Sequence, residues 1–508
     1  MNKINERLAA VSQDRLRGIR RGIEKESLRC RPDGMLALTP HPDALGSALT
    51  HPHITTDFSE SQLELVTAAL DSATAAVDEL TQIHQVVYAV LKAQQELLWV
   101  SSMPCRLPVD ETIPLGRYGS SNVGRAKSIY RMGLSHRYGR RMQTISGIHY
   151  NWSLPGVDNG GYFGLIRNFR RYAFLPLYLF GASPAVCASF VAEREHRLQP
   201  LGDGHCMHLP YATSLRMGRL GYQSDAQAGL AVSYNCLGSY ADSLEGALTH
   251  PYPPYEAIGI RGLGGEYNQL TTSLLQIENE FYGTIRAKRV IRPGERPLHA
   301  LRERGVEYVE VRLMDLDPFE PVGIGADTMR FLDVLLLYCL LADSPLDTPQ
   351  EIAELKNNRH LTASRGREPG LRLERHGKQV LLVEWATELL EGMGAIAAAM
   401  DAALGGSGYV QALARAARSI EQPETLPSAR VLQEIASHHG HSYPAFIMDR
   451  AAKARDQILQ QPCPSGLLER FQLLAADSVR AQQRVEAEDR VPFETYRQAY
   501  VAANGLWT

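Results

Sequence analysis

The chain has 508 residues, 44% of them hydrophobic and 21% charged, with a formal net charge of -3. That length and balance describe a globular protein with a sizeable core and exclude a disordered or fibrous chain. A near-neutral charge excludes a whole-chain polyelectrolyte partner for nucleic acid and leaves only local basic stretches to bind phosphates.

In chain order, the first 20 residues predict a helix with its charges on one face, and they contain no apolar run of the kind a signal peptide needs. Residues 19–29 predict a strand. Side chains alternate along a strand, so Glu24 and Glu26 point to one face. Two neighbouring carboxylates repel unless a cation lies between them, and Mg²⁺ takes such oxygen ligands. A solvated Glu-Lys-Glu face reads the same way. Residues 59–98 predict a helix. Asp57 followed by Glu60 is a capping box, and Glu64 shares roughly one helical face with Asp57.

Gly119 to Ala126 has phosphate-loop glycine spacing but Arg-Ala where Lys-Ser or Lys-Thr is needed, so it reads as a loop before a helix at 124–138. Arg125, Lys127, Arg131, Arg137, Arg140 and Arg141 follow with no acid among them, either as a solvated basic face or as a site for a small anion. Residues 143–154 predict a strand with His149, Asn151 and Ser153 on one face and Ile148, Tyr150 and Trp152 on the other. A helix follows at 163–180. The uncharged stretch Tyr172 to Val191 is interrupted by Pro176, Gly181 and Pro184, so it reads as a buried helix and a loop, not a membrane span.

A β pattern at 268–286 precedes a second basic cluster, Arg286, Lys288, Arg289 and Arg292, suited to nucleotide phosphates. Residues 305–314 predict a strand with Tyr308, Glu310 and Arg312 on one face, a pairing that suits a metal beside a phosphate. Helices at 326–341, 383–403, 408–419 and 428–436 follow, and from about Glu384 the pattern is almost purely helical.

Unequal helical blocks between strands predict an α+β fold with an antiparallel or mixed sheet. The expected organisation is one catalytic unit over 1–508, with a sheet-containing core at about 15–383 and a helical region at about 384–508 packed on it. A sheet face lined by carboxylates is costly without cations, so the strands together point to a multi-Mg²⁺ site. The seven cysteines are odd in number and form no C-x-x-C pair, which argues against a disulfide framework or a zinc cage and favours a reducing cytoplasm.

The segments GIEKESLR, TTDFSESQLELVT, SMPC, RYGSSNVGR, QTISGIHYNWSLP, YLFGASPA, LPYATSLRM, LGYQSDAQAGL, LLQIENEFYGTIRAKRV and GVEYVEVRLMDLDPF, in this order, resemble the proteobacterial type of glutamate–cysteine ligase, a carboxylate–amine ligase of glutamine-synthetase-like architecture. The resemblance implies a sheet curled into a funnel. It also implies ATP, and two or three Mg²⁺ ions (Mn²⁺ as the alternative), around which the γ-carboxylate of glutamate becomes an acyl phosphate and then an amide of cysteine.

It implies Glu24, Glu26, Asp57, Glu64, His149 and Glu310 as metal ligands and Arg312 as the contact to the transferred phosphoryl group, with Glu310 also catalytic. Gln143, Asn151 and Arg216 resemble glutamate-binding positions. Tyr130, Arg131, Leu134, Tyr222 and Tyr282 resemble a cysteine pocket. Arg286, Lys288 and Arg289 remain nucleotide-phosphate candidates. Partners would be these small molecules alone, with no nucleic acid or membrane, and the chain would be a monomer. The competing readings are the same activation with another amine, and a multi-Mg²⁺ phosphohydrolase.

Overall fold

The computed structural model describes residues 2–192, 194–202, 204–221, 226–227, 229–292 and 294–506. Its strands, in chain order, are β1 (Arg20–Cys30), β2 (Ile54–Thr56), β3 (Gln62–Val66), β4 (Leu97–Leu98), β5 (Ile148–Ser153), β6 (Ala185–Cys187), β7 (Gln199–Leu201), β8 (Cys206–His208), β9 (Ile285–Lys288), β10 (Tyr308–Met314), β11 (Arg372–Arg375) and β12 (Lys378–Leu381). Among the described residues, seven strands form one sheet in the order β2-β3-β1-β5-β10-β9, with β4 paired to one end of β1. Every pairing in it is antiparallel. Strands β6, β8 and β7 form a small second sheet, and β11 and β12 a hairpin.

Alternation decides what each face of the large sheet meets. Ile23, Leu63, Leu65, Ile148, Tyr150, Trp152, Val309 and Val311 are buried in one continuous core. Helices Ala73–Leu91, Asn159–Tyr172, Ala326–Leu341, Leu382–Leu404 and Gly408–Glu421 contribute much of the remainder. Two polar groups enter that core and are answered there. Arg21 reaches Asp333 at 3.0 Å, and Tyr150 and Tyr409 donate to the same carboxylate. Lys25 lies 2.6 Å from the His84 ring, and burial pushes its ammonium down to about 7. The other face carries the carboxylates.

From Leu382 onward the chain is helical, with Pro427–His438, Tyr443–Gln460, Leu467–Glu488 and Phe493–Val501 completing the series. Phe493–Val501 packs against Asn122–Tyr138, 355 or more positions earlier in sequence, which brings the end of the chain to the carboxylate face.

Several expectations need correction. The first 20 residues form two helices, Asn2–Ala9 and Gln13–Arg17, before β1 begins. No helix starts at Asp57. Glu60 spends its carboxylate on the backbone N–H groups of His41 and Arg117, so it caps nothing, and residues 62–66 are strand. The helix expected over 59–98 is confined to Ala73–Leu91. The strand expected over 268–286 shrinks to β9, because the preceding backbone is bonded into loops, for example Tyr252 N–H to Thr272 and Leu275 N–H to Ala247. The strand at 143–154 begins only at Ile148, after a helical turn Arg140–Gln143.

The stretch from Tyr172 supplies the buried helix Phe174–Phe180 and then β6, and no helix among the described residues is long and apolar enough to cross a membrane. Cys105 and Cys187 form a disulfide with Cα atoms 5.1 Å apart. A pair 82 residues apart carries no local spacing signal.

Candidate active site

Register builds the site. Directly opposed residues of antiparallel strands share a face. Glu26 opposes Glu64 across β1 and β3, and Glu24 opposes His149 across β1 and β5. Glu310 opposes Asn151 on one side and Arg286 on the other, and Tyr308 opposes Lys288. Two-residue steps along the strands join these pairs into one polar strip. Asp57 enters from the turn between β2 and β3, which closes through Asp57 N–H to the Gln62 carbonyl. Asp57 and Glu64 therefore meet through a hairpin and not along a helix.

The strip is tightly knit. His149 Nδ1 lies 3.2 Å from Glu24 Oε2 and 3.9 Å from Glu310 Oε1, and its Nε2 lies 3.9 Å from Glu26 Oε1. One donor atom from each of Glu24, His149 and Glu310 falls within 4.8 Å of the others. Asn151 Nδ2 donates to Glu24 Oε1 at 2.9 Å. Glu310 accepts from Arg312 Nη1 at 2.8 Å and Lys288 Nζ at 3.1 Å, with Arg286 Nη1 at 3.7 Å.

The charges divide along this strip. On the β10 side, burial opposes the ionisation of Glu310, but Lys288, Arg312, His149 and Arg286 hold its carboxyl well below the usual range. On the β3 side, burial and the nearby Asp57 carboxylate push Glu26 up to about 8. Burial with Glu24, Asp57 and Glu26 pushes Glu64 well above its ordinary value. Burial and Arg312 lower the His149 pKa, which favours the neutral imidazole. Its Nε2 is buried without a hydrogen-bond partner among the described residues. Excess carboxylate, a neutral imidazole and an orphaned ring nitrogen together fit a hard divalent cation.

The strip floors a cavity of about 330 Å³ lined by Glu24, Glu26, Asp57, Glu64, His149, Glu310 and Arg312. One wall is the helix Asn122–Tyr138, whose Ser121 cap accepts from Gly124 N–H. This wall presents Tyr130, Arg131 and Leu134 at helical spacing. Arg131 donates to the Asp57 carbonyl and stacks over the Tyr118 ring at 4.4 Å. Gln143 Nε2 donates to the Tyr282 hydroxyl at 3.0 Å on the neighbouring wall. Arg286 and Lys288 also line the cavity.

Other sequence candidates are placed differently. Arg216 is buried behind the strip, donating from Nη2 to the Arg312 carbonyl at 2.9 Å. A Cβ at Gly147 would fall on that guanidinium, so the close approach requires glycine there. Arg289 is outside the cavity lining and donates to the Arg304 and Gly305 carbonyls. Tyr222 lies outside the described residues. Within the basic run, Arg137 pairs with Glu280 at 2.9 Å, the Arg140 guanidinium donates to the Glu111 and Ile113 carbonyls and that of Arg141 to the Ser189 carbonyl, and Lys127 and Arg131 line the cavity.

Several lining residues escaped the sequence reading, among them two tyrosines and a buried glutamate. Tyr496 and Tyr500 of the last long helix stack at 5.8 Å, and Glu280 is buried at the cavity edge. The tyrosines arrive from the far end of the chain. Glu280 lies within the expected β pattern at 268–286, where the structure has a short helical turn, Glu278–Glu280, instead.

Comparison with known proteins gives a concordant result. Residues 6–362 match the sequence model of the family described as glutamate–cysteine ligase. The chain is 46% identical to a glutamate–cysteine ligase of Alcanivorax borkumensis, with 98% of each chain covered. It is 47% identical to one of Pseudomonas aeruginosa, covering 95% of this chain and 94% of that one. A crystal structure of glutamate–cysteine ligase from Francisella tularensis in complex with AMP matches with a TM-score of 0.89 and 37% identity, covering 95% of this chain and 97% of the other.

Proposed function

The chain belongs to the glutamate–cysteine ligase family and is such a ligase, acting in the first step of glutathione biosynthesis, and from that premise we propose that the carboxylate-floored cavity is its catalytic centre. Its substrates are glutamate, cysteine and ATP. Family membership sets aside the phosphohydrolase reading and favours cysteine over another amine.

Glu24, Glu26, Asp57, Glu64, His149 and Glu310 would hold two or three Mg²⁺ ions, with Mn²⁺ able to substitute. Bound there, the ions would neutralise charge on the phosphate oxygens during phosphoryl transfer. The observation that carries this reading is the convergence of all six side chains on one cavity. Arg312, oriented by its bond to Glu310, would present a guanidinium fork to the γ-phosphoryl oxygens, and Arg286 and Lys288 would receive the neighbouring phosphates. The γ-carboxylate of glutamate takes the γ-phosphoryl group and ADP departs. The amine of cysteine then attacks the acyl carbon, phosphate leaves, and the amine loses a proton.

Gln143 and Asn151 would orient glutamate, with Arg216 acting on the site from behind Gly147. Tyr130, Arg131, Leu134 and Tyr282 would position the amine, and positioning supplies much of the second step. The sheet would curl around this centre as a funnel. The whole chain, core and helical region together, would act as one cytoplasmic monomer.

An assay with ATP, glutamate and a panel of amines, read by product mass, tests the reading. The expected product is γ-glutamylcysteine, formed only with a divalent ion present. Phosphate release without glutamate, or an amide formed only with another amine, would contradict it.

A further inference from the structure

In the catalytic centre proposed above, metal would occupy the carboxylate strip, phosphates would meet Arg286, Lys288 and Arg312, and the amino acids would lie by Tyr130 and Gln143, so the adenosine of ATP still needs a wall. Among the cavity-lining residues without such a role are Asn279, Ile291, Pro297, Tyr496 and Tyr500. They adjoin the phosphate candidates. Ile291 and Pro297 follow β9 in the segment after Lys288, and Arg296 fastens that segment to the helix Phe493–Val501. It donates to the Tyr500 carbonyl at 2.6 Å, and its guanidinium lies 5.0 Å from the centre of the Tyr500 ring.

The chemistry of this wall suits a purine. Tyr496 and Tyr500 stack with ring centroids 5.8 Å apart and planes 10° from parallel, and Ile291 and Pro297 add apolar lining beside them. Flat aromatic and apolar surface holds a base by stacking and burial. The Tyr496 hydroxyl is buried without a hydrogen-bond partner among the described residues, a cost that a polar atom of a ligand would remove. Asn279 is exposed. It accepts from Arg286 Nη2 at 3.2 Å through its backbone carbonyl, and its side-chain amide makes no hydrogen bond among the described residues. The turn that carries it is fastened on both sides. Glu278 accepts from Arg296 Nη2 at 2.8 Å and Leu298 N–H at 3.0 Å, and Glu280 accepts from Arg137 Nη1 at 2.9 Å and the Tyr138 hydroxyl at 2.7 Å. A group held in place beforehand loses little freedom on binding.

We infer that the adenine ring of ATP packs against Tyr496 and Tyr500 with its polar edge read by the Asn279 amide, and the inference rests on the ligase reading of this cavity. An amide carries an acceptor and a donor side by side, which match the amino donor and the N7 acceptor of adenine. Guanine presents acceptors at both places, so one would face the amide oxygen, and the site selects ATP over GTP. The helix Phe493–Val501 is then part of the nucleotide site, which gives the C-terminal helical region a share in substrate selection.

The test uses the full chain with Mg²⁺, glutamate and cysteine and reads initial rates of γ-glutamylcysteine formation against ATP and against GTP. The parent should prefer ATP. Asn279→Ala should raise KM for ATP roughly tenfold and lose most of that preference, with kcat and the KM values for glutamate and cysteine within about threefold of the parent. Tyr496→Leu should raise KM for ATP roughly tenfold, and Tyr496→Phe, which keeps the ring and loses the hydroxyl, should recover most of the loss. Asn279→Ala, at an exposed position, decides the matter if Tyr496→Leu fails to fold. A parent that forms γ-glutamylcysteine while Asn279→Ala keeps the parental KM for ATP and the parental preference would overturn the inference and leave the ligase reading standing. So would equal losses for ATP, glutamate and cysteine, the mark of a structural effect. A parent that forms no γ-glutamylcysteine would overturn the ligase reading and the inference together.

Discussion

Glu26→Gln separates what the carboxylate strip does for catalysis from what it costs the fold. Glu26 is 6% exposed and its carboxyl is pushed up to about 8 from an ordinary 4.5, first by burial and then by Asp57. A carboxyl raised in this way contributes stability that is complete below about pH 4.5 and lost as the pH rises through about 8. Each pH unit in that window costs about 1.4 kcal/mol, so at pH 7 the ionisation of Glu26 in the unfolded chain costs about 3 kcal/mol of stability.

Glutamine carries no such cost, and its carbonyl can still accept the Gly147 N–H that Glu26 Oε2 now accepts at 2.7 Å. The substitution also relieves one of the carboxylates that raise Glu64. In EDTA at pH 7, urea unfolding should therefore find Glu26→Gln more stable than the parent by about 1–3 kcal/mol. Its stability should also change less between pH 5 and 8. In the presence of Mg²⁺ the parent should gain more stability than the variant, and ligation by the variant should fall by roughly a hundredfold or more. A variant less stable than the parent without metal, or one with the same pH slope, would refute this reasoning.

Glu310→Gln should behave oppositely in the metal-free protein. It leaves Arg286, Lys288 and Arg312 without their central counter-charge, so unfolding should show a loss of about 3–5 kcal/mol together with lost ligation. Arg312→Lys replaces a fork with a point charge, so kcat should fall roughly a hundredfold while nucleotide affinity, read by calorimetry, changes less than tenfold. Lys25→Met should stabilise the fold at pH 7. The Lys25 ammonium is held down to about 7, so the parent should gain stability as the pH rises from 7 towards 10.5 and the variant should not. After the loss of the contact to His84, the net gain at pH 7 should be about 2 kcal/mol in denaturant titrations.

The parts of the site that could be read from the sequence are those written in strand alternation. Glu24 with Glu26, His149 with Asn151, and Glu310 with Arg312 each sit two apart beside buried partners such as Ile23, Tyr150 and Val311, and the structure keeps all three pairs on the polar face. The segment Asp57 to Val66 misled because a local capping pattern competed with a long-range fact. Glu60 is claimed by backbone from residues 41 and 117, neither of which local spacing can announce. Leu63 and Leu65, both fully buried, held the alternation that marks β3. Tyr496 and Tyr500 were invisible for a related reason. Helical spacing describes them as ordinary packing residues, and only the docking of the last long helix on Asn122–Tyr138 brings them to the cavity. Arg289 shows the converse. It shares a basic run with Arg286 and Lys288, but it follows β9 and turns to carbonyl oxygens instead of the cavity.

The most direct test of the central claim is anomalous diffraction from crystals grown with Mn²⁺ and a non-hydrolysable ATP analogue. Manganese peaks should fall among Glu24, Glu26, Asp57, Glu64, His149 and Glu310, with the analogue's γ-phosphate beside Arg312. Peaks elsewhere, or a triphosphate bound away from β10, would contradict the account.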